Sequence, residues 1–112
     1  MATKNEQLEL SIVLPCLNEE QTVGICVAKA VQFLKEYKIN GEVIVADNGS
    51  TDSSLAIAQE QGAIAIHIEQ KGYGMALRGG FSAARGKYII MADSDDSYDL
   101  VNLLPFVEKL RV

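Results

Sequence analysis

The sequence predicts an α/β fold, a parallel sheet whose strands alternate with helices. Short apolar runs rich in Val and Ile alternate with longer segments of helical period. The connections at one end of these runs are brief and plain, whereas every unusual polar cluster falls at the other end. A length of 112 residues is enough for one domain and not two, so residues 1–112 are read as a single unit.

Taken in order, Leu8–Leu14 reads as the first strand, ended by Pro15. Glu20–Lys38 follows as a long helix. Val23, Val27, Ala30, Val31 and Leu34 recur there at helical spacing as its buried face. Asn40-Gly41 turns the chain into a second strand, Glu42–Ala46. Ser53–Gln61 is a short helix closed by Gly62, and Ala63–Ile68 is the third strand. After the loop Lys71-Gly72-Tyr73-Gly74, the segment Met75–Ala84 is helical, with Leu77, Phe81 and Ala84 on one side. Lys87–Ala92 is almost wholly apolar at its centre, which predicts a buried central strand. Leu100–Arg111 closes the chain as a helix that starts late or bends at Pro105.

Composition narrows the function. Hydrophobic residues are 48% and charged residues 22%, as in an ordinary soluble domain. Ten Lys and Arg against fifteen Asp and Glu give a net charge of −5. That argues against a nucleic-acid backbone binder, which needs a basic face, and against direct adhesion to an anionic membrane. It leaves room for a single nucleotide held by a few local cations. Met1–Glu9 is polar and lacks an apolar signal core, and no run has the length of a membrane span, so the chain is expected to be soluble and cytoplasmic. Cys16 and Cys26 read as buried reduced thiols. His67, the lone histidine, reads as a strand residue, and no triad offers it a catalytic role.

In parallel sheets ligands bind beyond the carboxyl ends of the strands. Pro15–Glu20, Asp47–Asp52, Lys71–Gly74 and Asp93–Asp96 all fall on that edge. Asp93-Ser94-Asp95-Asp96 is the sharpest of them, because crowded carboxylates repel one another unless a cation sits among them. Hard oxygen ligands suit Mg²⁺ or Mn²⁺, and Mg²⁺ typically combines one or two carboxylates with substrate phosphates. Ser50, Thr51 and Asp52 read as helix-capping residues. Asp47 and Asn48 are not needed for capping and are candidates to meet a base or ribose. Pro15 stiffens its loop, and Glu19 and Glu20 complement the positive start of the next helix. Lys71 opens a glycine-rich helix start suited to phosphate, with Arg78 further along the same helix. Leu77 takes the place of the third glycine of a dinucleotide fingerprint.

Together these residues resemble the family 2 glycosyltransferases of GT-A fold. The match consists of Pro15-x-x-Asn18-Glu19, then Val45-x-Asp47-Asn48-Gly49-Ser50-Thr51-Asp52, then Lys71-Gly72-x-Gly74-x-Ala76, then Asp93-Ser94-Asp95. It runs from about Leu10 to the end of the chain and looks most like the bacterial branch related to dolichyl-phosphate mannosyltransferase and polyprenyl-phosphate sugar transferases. The resemblance implies that Pro15, Leu17 and Glu19 line the base and ribose site, and that Asp47 and Asn48 contact base or ribose. Asp93 and Ser94 would sit near the ribose and donor. Asp95, with Asp93, would hold Mg²⁺ or Mn²⁺ on the diphosphate, and Lys71 and Arg78 would approach the phosphates. It implies a hexosyltransferase that takes a UDP- or GDP-sugar and transfers with inversion, to a polyprenyl phosphate at the membrane, in cell-envelope glycan synthesis. The family's first motif usually has an aromatic where this chain has Leu17. Its general base and acceptor half follow the Asp-x-Asp region, so no catalytic base is assigned. The chain is expected to be the donor-binding portion, weakly binding and with little activity alone, of a protein anchored at the cytoplasmic face.

Two rivals share some features. A receiver-like signalling module also binds Mg²⁺ at strand ends, but its acidic pair follows the first strand and its phosphorylatable Asp the third. A sugar nucleotidyltransferase carries a glycine-rich basic loop after its first strand, where Pro15–Glu20 has neither glycine nor a basic residue.

Overall fold

The computed structural model describes residues 7–112, so most of the polar stretch read at Met1–Glu9 lies outside the described residues. The order is β1 (Leu10–Cys16), α1 (Val23–Glu36), β2 (Gly41–Asp47), α2 (Ser54–Glu60), β3 (Ile64–His67), α3 (Tyr73–Ala83), β4 (Tyr88–Met91) and α4 (Leu104–Arg111). The four strands form one parallel sheet in the order β3-β2-β1-β4. The predicted α/β class is therefore the observed one. The strand sequence reverses between β1 and β4, and such a switch point opens a crevice at the carboxyl ends. A receiver-like sheet runs 2-1-3-4-5, so this topology excludes that rival.

Side chains alternate across the sheet. On one face Leu10, Ile12, Leu14, Val43 and Val45 form the main core with Val23, Cys26, Val27, Ala30 and Phe33 of α1, Ala58 of α2 and Val107 of α4. On the other face α3 lies against β1 and β2, close enough that a Cβ on Gly80 would collide with Val13. The buried residues of α3 are accordingly Ala76 and Gly80, while Phe81 is 43% exposed. The side read at Leu77, Phe81 and Ala84 is therefore not the one buried most deeply: Leu77 and Ala84 are half-buried, Phe81 is exposed, and small residues set the helix-to-sheet distance.

Two other expectations are revised. β1 runs through Pro15 to Cys16, in register with Ala46 and Asp47 of β2. Proline is tolerated because β1 pairs with β4 only as far as Val13, so the missing N–H faces a side where the ladder has ended. β4 is an edge strand and not a central one, with Ile89 and Met91 38% and 37% exposed. An apolar run reads the same in either position. The last helix does start late, as Pro105 led one to expect: α4 begins at Leu104 with Pro105 in its first turn, where no backbone donor is needed.

At the amino ends of the strands, Ser11 Oγ donates to Glu42 Oε2 at 2.6 Å and accepts from Gly86 N–H at 2.8 Å. Arg85 adds its backbone N–H and its guanidinium to the same carboxylate. This cluster ties β1, β2 and the α3–β4 turn together.

Candidate functional site

A cavity of about 450 Å³ opens at the carboxyl ends of the strands. Of the residues singled out in the sequence, Pro15, Leu17, Glu19, Asn48, Lys71, Asp93, Ser94 and Asp95 line it, joined by Cys16, Gly72, Tyr73 and Ala76. Asp47 and Arg78 do not line it. A second hollow of about 660 Å³ lies at the opposite edge. Its buried carboxylate, Glu42, is already met by Ser11 and Arg85, which leaves the first cavity as the site with uncommitted polar groups.

One wall is built from two loops that hold each other. Asn18, with φ +53°, turns its Oδ1 to accept from Thr51 N–H at 2.8 Å, while its own N–H donates to Ser50 Oγ at 2.8 Å. Glu19 N–H donates to Ser54 Oγ, and Ser53 N–H donates to Glu20 Oε2. Asp52 accepts from Ser54 N–H at 2.9 Å and from Glu20 N–H at 3.2 Å, the structural part expected of it. These donors hold the Asp52 carboxyl below its ordinary range, Ser54 contributing most.

Asp47 and Asn48 have more structural work than their sequence suggests. Asp47 is 1% exposed, and its carboxylate accepts from Gly49 N–H, Ser50 N–H and Ser50 Oγ. Asn48 is 6% exposed, and both ends of its amide are engaged. Its Nδ2 donates to Ile68 O at 3.3 Å and Gln70 O at 2.7 Å, and its Oδ1 accepts from Gly72 N–H at 2.7 Å. Asn48 thereby fastens the segment leading into α3 against the end of β2. Gly72 itself has φ +116°, a conformation that favours glycine. Lys71 lies so close to the β2 loop that a Cβ on Gly49 would stand 3.1 Å from its Nζ. Among the described residues Lys71 has no carboxylate partner.

The acidic loop forms the facing wall. Ser94 is 3% exposed and bolts the loop down: its Oγ donates to Pro15 O at 2.9 Å and its carbonyl accepts from Thr22 Oγ1 at 2.7 Å. The three carboxylates then diverge. Asp96, at φ +64°, pairs with Lys29 Nζ at 2.9 Å and is neutralised outside the cavity. Asp95 Oδ1 accepts from Ser97 N–H and Ser97 Oγ, and these bonds hold its carboxyl below the ordinary range. Asp93 Oδ1 accepts from Tyr73 Oη at 2.7 Å, and this bond pushes the phenol up to about 12. Neither Asp93 nor Asp95 has a cationic partner, and Oδ2 of each has no protein donor among the described residues.

This donor set suits a divalent cation that completes its shell with phosphate and water. Among the described residues no three His, Cys, Asp or Glu side chains gather to hold a metal unaided. Two oriented, un-neutralised carboxylates facing an unpaired Lys are what a cation bridged to a diphosphate requires. Cys16, at the cavity floor, and Cys26 are buried free thiols whose pKa burial raises. His67 is exposed on β3 and does not line the cavity. Sequence reasoning missed Tyr73 as a bridge between the walls; its place beside Gly72 at a helix start was the available signal.

Residues 11–112 match the model of the family described as Glycosyl transferase family 2. A low-salt glycan biosynthesis hexosyltransferase of Haloferax volcanii is 43% identical over 102 residues, covering 91% of this chain and 24% of that protein. A dolichyl-phosphate beta-glucosyltransferase of Saccharomyces cerevisiae is 33% identical, covering 96% of this chain and 36% of that one. The crystal structure of glucosyl-3-phosphoglycerate synthase from Mycobacterium tuberculosis with Mn²⁺, UDP-glucose and phosphoglyceric acid superposes with a TM-score of 0.66 at 32% identity, over 78% of this chain and 33% of that one. The chain thus spans about a quarter to a third of the length of these relatives. No helix of the described residues is long and apolar enough to cross a membrane.

Proposed function

The chain belongs to glycosyl transferase family 2, and from that membership we propose that it forms the nucleotide-sugar-binding portion of a divalent-metal-dependent, inverting hexosyltransferase. One observation carries the reading. A single cavity at the sheet's switch point sets the unpaired Lys71 and the un-neutralised Asp93 and Asp95 around one space. A diphosphate fits that combination, with its negative charge met by an ammonium on one side and by a carboxylate-held cation on the other.

In this reading Pro15, Leu17 and Glu19 bound the base and ribose end, and Asn48 shapes the wall behind them. Asp95 is the principal metal carboxylate and Asp93 the second, the Asp-x-Asp pair of the site. Ser94 holds both in place through Pro15 O. Lys71 approaches the phosphates, and Arg78 joins only by reaching in from outside the cavity. The cation, when bound, neutralises charge developing on the nucleoside diphosphate leaving group. Displacement at the anomeric carbon would then invert it, and no general base is assigned among these residues.

The base is proposed to be uracil, because the Mycobacterium tuberculosis structure contains UDP-glucose with Mn²⁺. The acceptor is proposed to be a polyprenyl phosphate at a membrane, in keeping with the yeast relative's name, and the product to feed cell-envelope glycan assembly.

Calorimetric titration with UDP and GDP, each with and without Mn²⁺, tests this. The expected result is UDP binding that strengthens with Mn²⁺ and loses the metal's contribution in Asp95→Ala. Nucleotide binding indifferent to both Mn²⁺ and Asp95 would overturn the metal assignment.

A further inference from the structure

Resting on that reading, we infer that Tyr73 is a positioning residue that fixes Asp93 at the cavity wall with one carboxylate oxygen left uncommitted. Tyr73 is the first residue of α3 and is 55% exposed, so nothing in the core dictates where its ring goes. Its hydroxyl nevertheless reaches the acidic loop, 2.7 Å from Asp93 Oδ1 and 3.6 Å from Met91 Sδ. The reach depends on the backbone behind it. Gly72 turns at φ +116° and is pinned by its N–H to Asn48 Oδ1, which sets the first turn of α3 at the cavity mouth.

The chemical type of the donor matters. A carboxylate can be held by a cation or by a neutral hydroxyl. Asp96 is held by the cation of Lys29, which cancels its charge. Asp93 is held by a phenol, which orients the group without bringing a positive charge of its own. Without this bond Asp93 has no other protein donor among the described residues, and its side chain is free to turn. A metal-bound nucleotide would then have to restrict that rotation on binding.

Tyr73→Phe removes the hydroxyl and keeps the ring, and exposure at this position makes a folding defect avoidable. UDP affinity measured with Mn²⁺ is expected to fall about tenfold, as for loss of one charge-assisted hydrogen bond. Affinity without metal is expected to change less than about twofold, and the melting temperature to stay within about 1 °C. Mn²⁺ binding followed by electron paramagnetic resonance should weaken in parallel. In an Asp93→Asn background the same substitution should add nothing further, since Tyr73 acts through Asp93.

Equal losses with and without Mn²⁺ would show that Tyr73 touches the nucleotide itself and would overturn the inference. So would an unchanged metal-supported affinity in Tyr73→Phe when the unsubstituted chain shows a clear Mn²⁺ gain; in that case the donor-site reading stands and only the role of Tyr73 falls. Absence of any Mn²⁺ gain in the unsubstituted chain would remove both.

Discussion

Asn48→Ala separates a structural wall from a ligand contact. The substitution deletes two bonds of 2.7 Å, to Gln70 O and from Gly72 N–H, and a weaker one of 3.3 Å to Ile68 O. At about 1 kcal/mol net for each good bond, the loss is about 2 kcal/mol. The freed groups of Gln70 and Gly72 lie in an exposed segment, so water re-solvates them and the heavier penalty for buried orphans does not apply. For a domain of this size 2 kcal/mol lowers the melting temperature by about 6–10 °C. Asn48→Asp sharpens the test. It keeps an acceptor for Gly72 N–H but turns an anionic oxygen towards two carbonyl oxygens. That disfavours ionisation, so the folded-state pKa of the new carboxyl lies above its unfolded value near 3.9. The folded state then binds more protons than the unfolded state, and stability rises as pH falls through the folded pKa. Thermal melts at pH 7 and pH 5 should therefore show Asn48→Asp recovering part of its deficit at the lower pH relative to the unsubstituted chain. If Asn48→Ala melts unchanged yet loses nucleotide affinity, Asn48 is a ligand contact and the fastening role is refuted.

Ser11→Ala should cost about 2–3 kcal/mol in urea denaturation, because it leaves Gly86 N–H without an acceptor and takes one donor from the buried Glu42 carboxylate. A cost below about 0.5 kcal/mol would show the cluster to be incidental. Gly80→Val drives a branched side chain into Val13 and Ala46 and is expected to destabilise by at least about 2 kcal/mol, whereas Ala at the neighbouring exposed position 82 should be near neutral. Cys16 and Cys26, buried and with raised pKa values, should resist a disulfide reagent at pH 8 in the native state and react together on unfolding. Rapid native titration of both would contradict the packing around β1 and α1.

The periodicity of the chain was enough for every strand and helix to within a few residues, and for the edge on which the polar motifs converge. Position within the sheet was harder. Tyr88–Met91 is apolar because one face meets the core through Tyr88 and Ile90, while Ile89 and Met91 face outward. Only the strand order distinguishes that from a centre strand. Most of the cavity lining was legible because its residues stand in short motifs directly after strands. Roles inside those motifs were less so. Asn48 and Ser94 bond to segments 20 to 79 positions away, and such partners exist only once the loops have been brought together. The acidic loop shows the same limit: four adjacent letters hold three carboxylates, and local turns send Asp96 to Lys29 and leave Asp93 and Asp95 at the cavity.

The interlocked loops after β1 and β2 have a thermodynamic consequence. Asn18, Glu19 and Glu20 are bonded to Ser50, Thr51, Asp52, Ser53 and Ser54 before any ligand arrives, so that wall has little conformational freedom left to lose. The start of α3, a third side of the cavity, hangs on fewer ties, chiefly the amide of Asn48 and the hydroxyl of Tyr73. An incoming molecule therefore meets one rigid surface and one that must be stilled. Discrimination between rigid ring systems is cheapest against the first, and the entropy of association is spent mainly on the second.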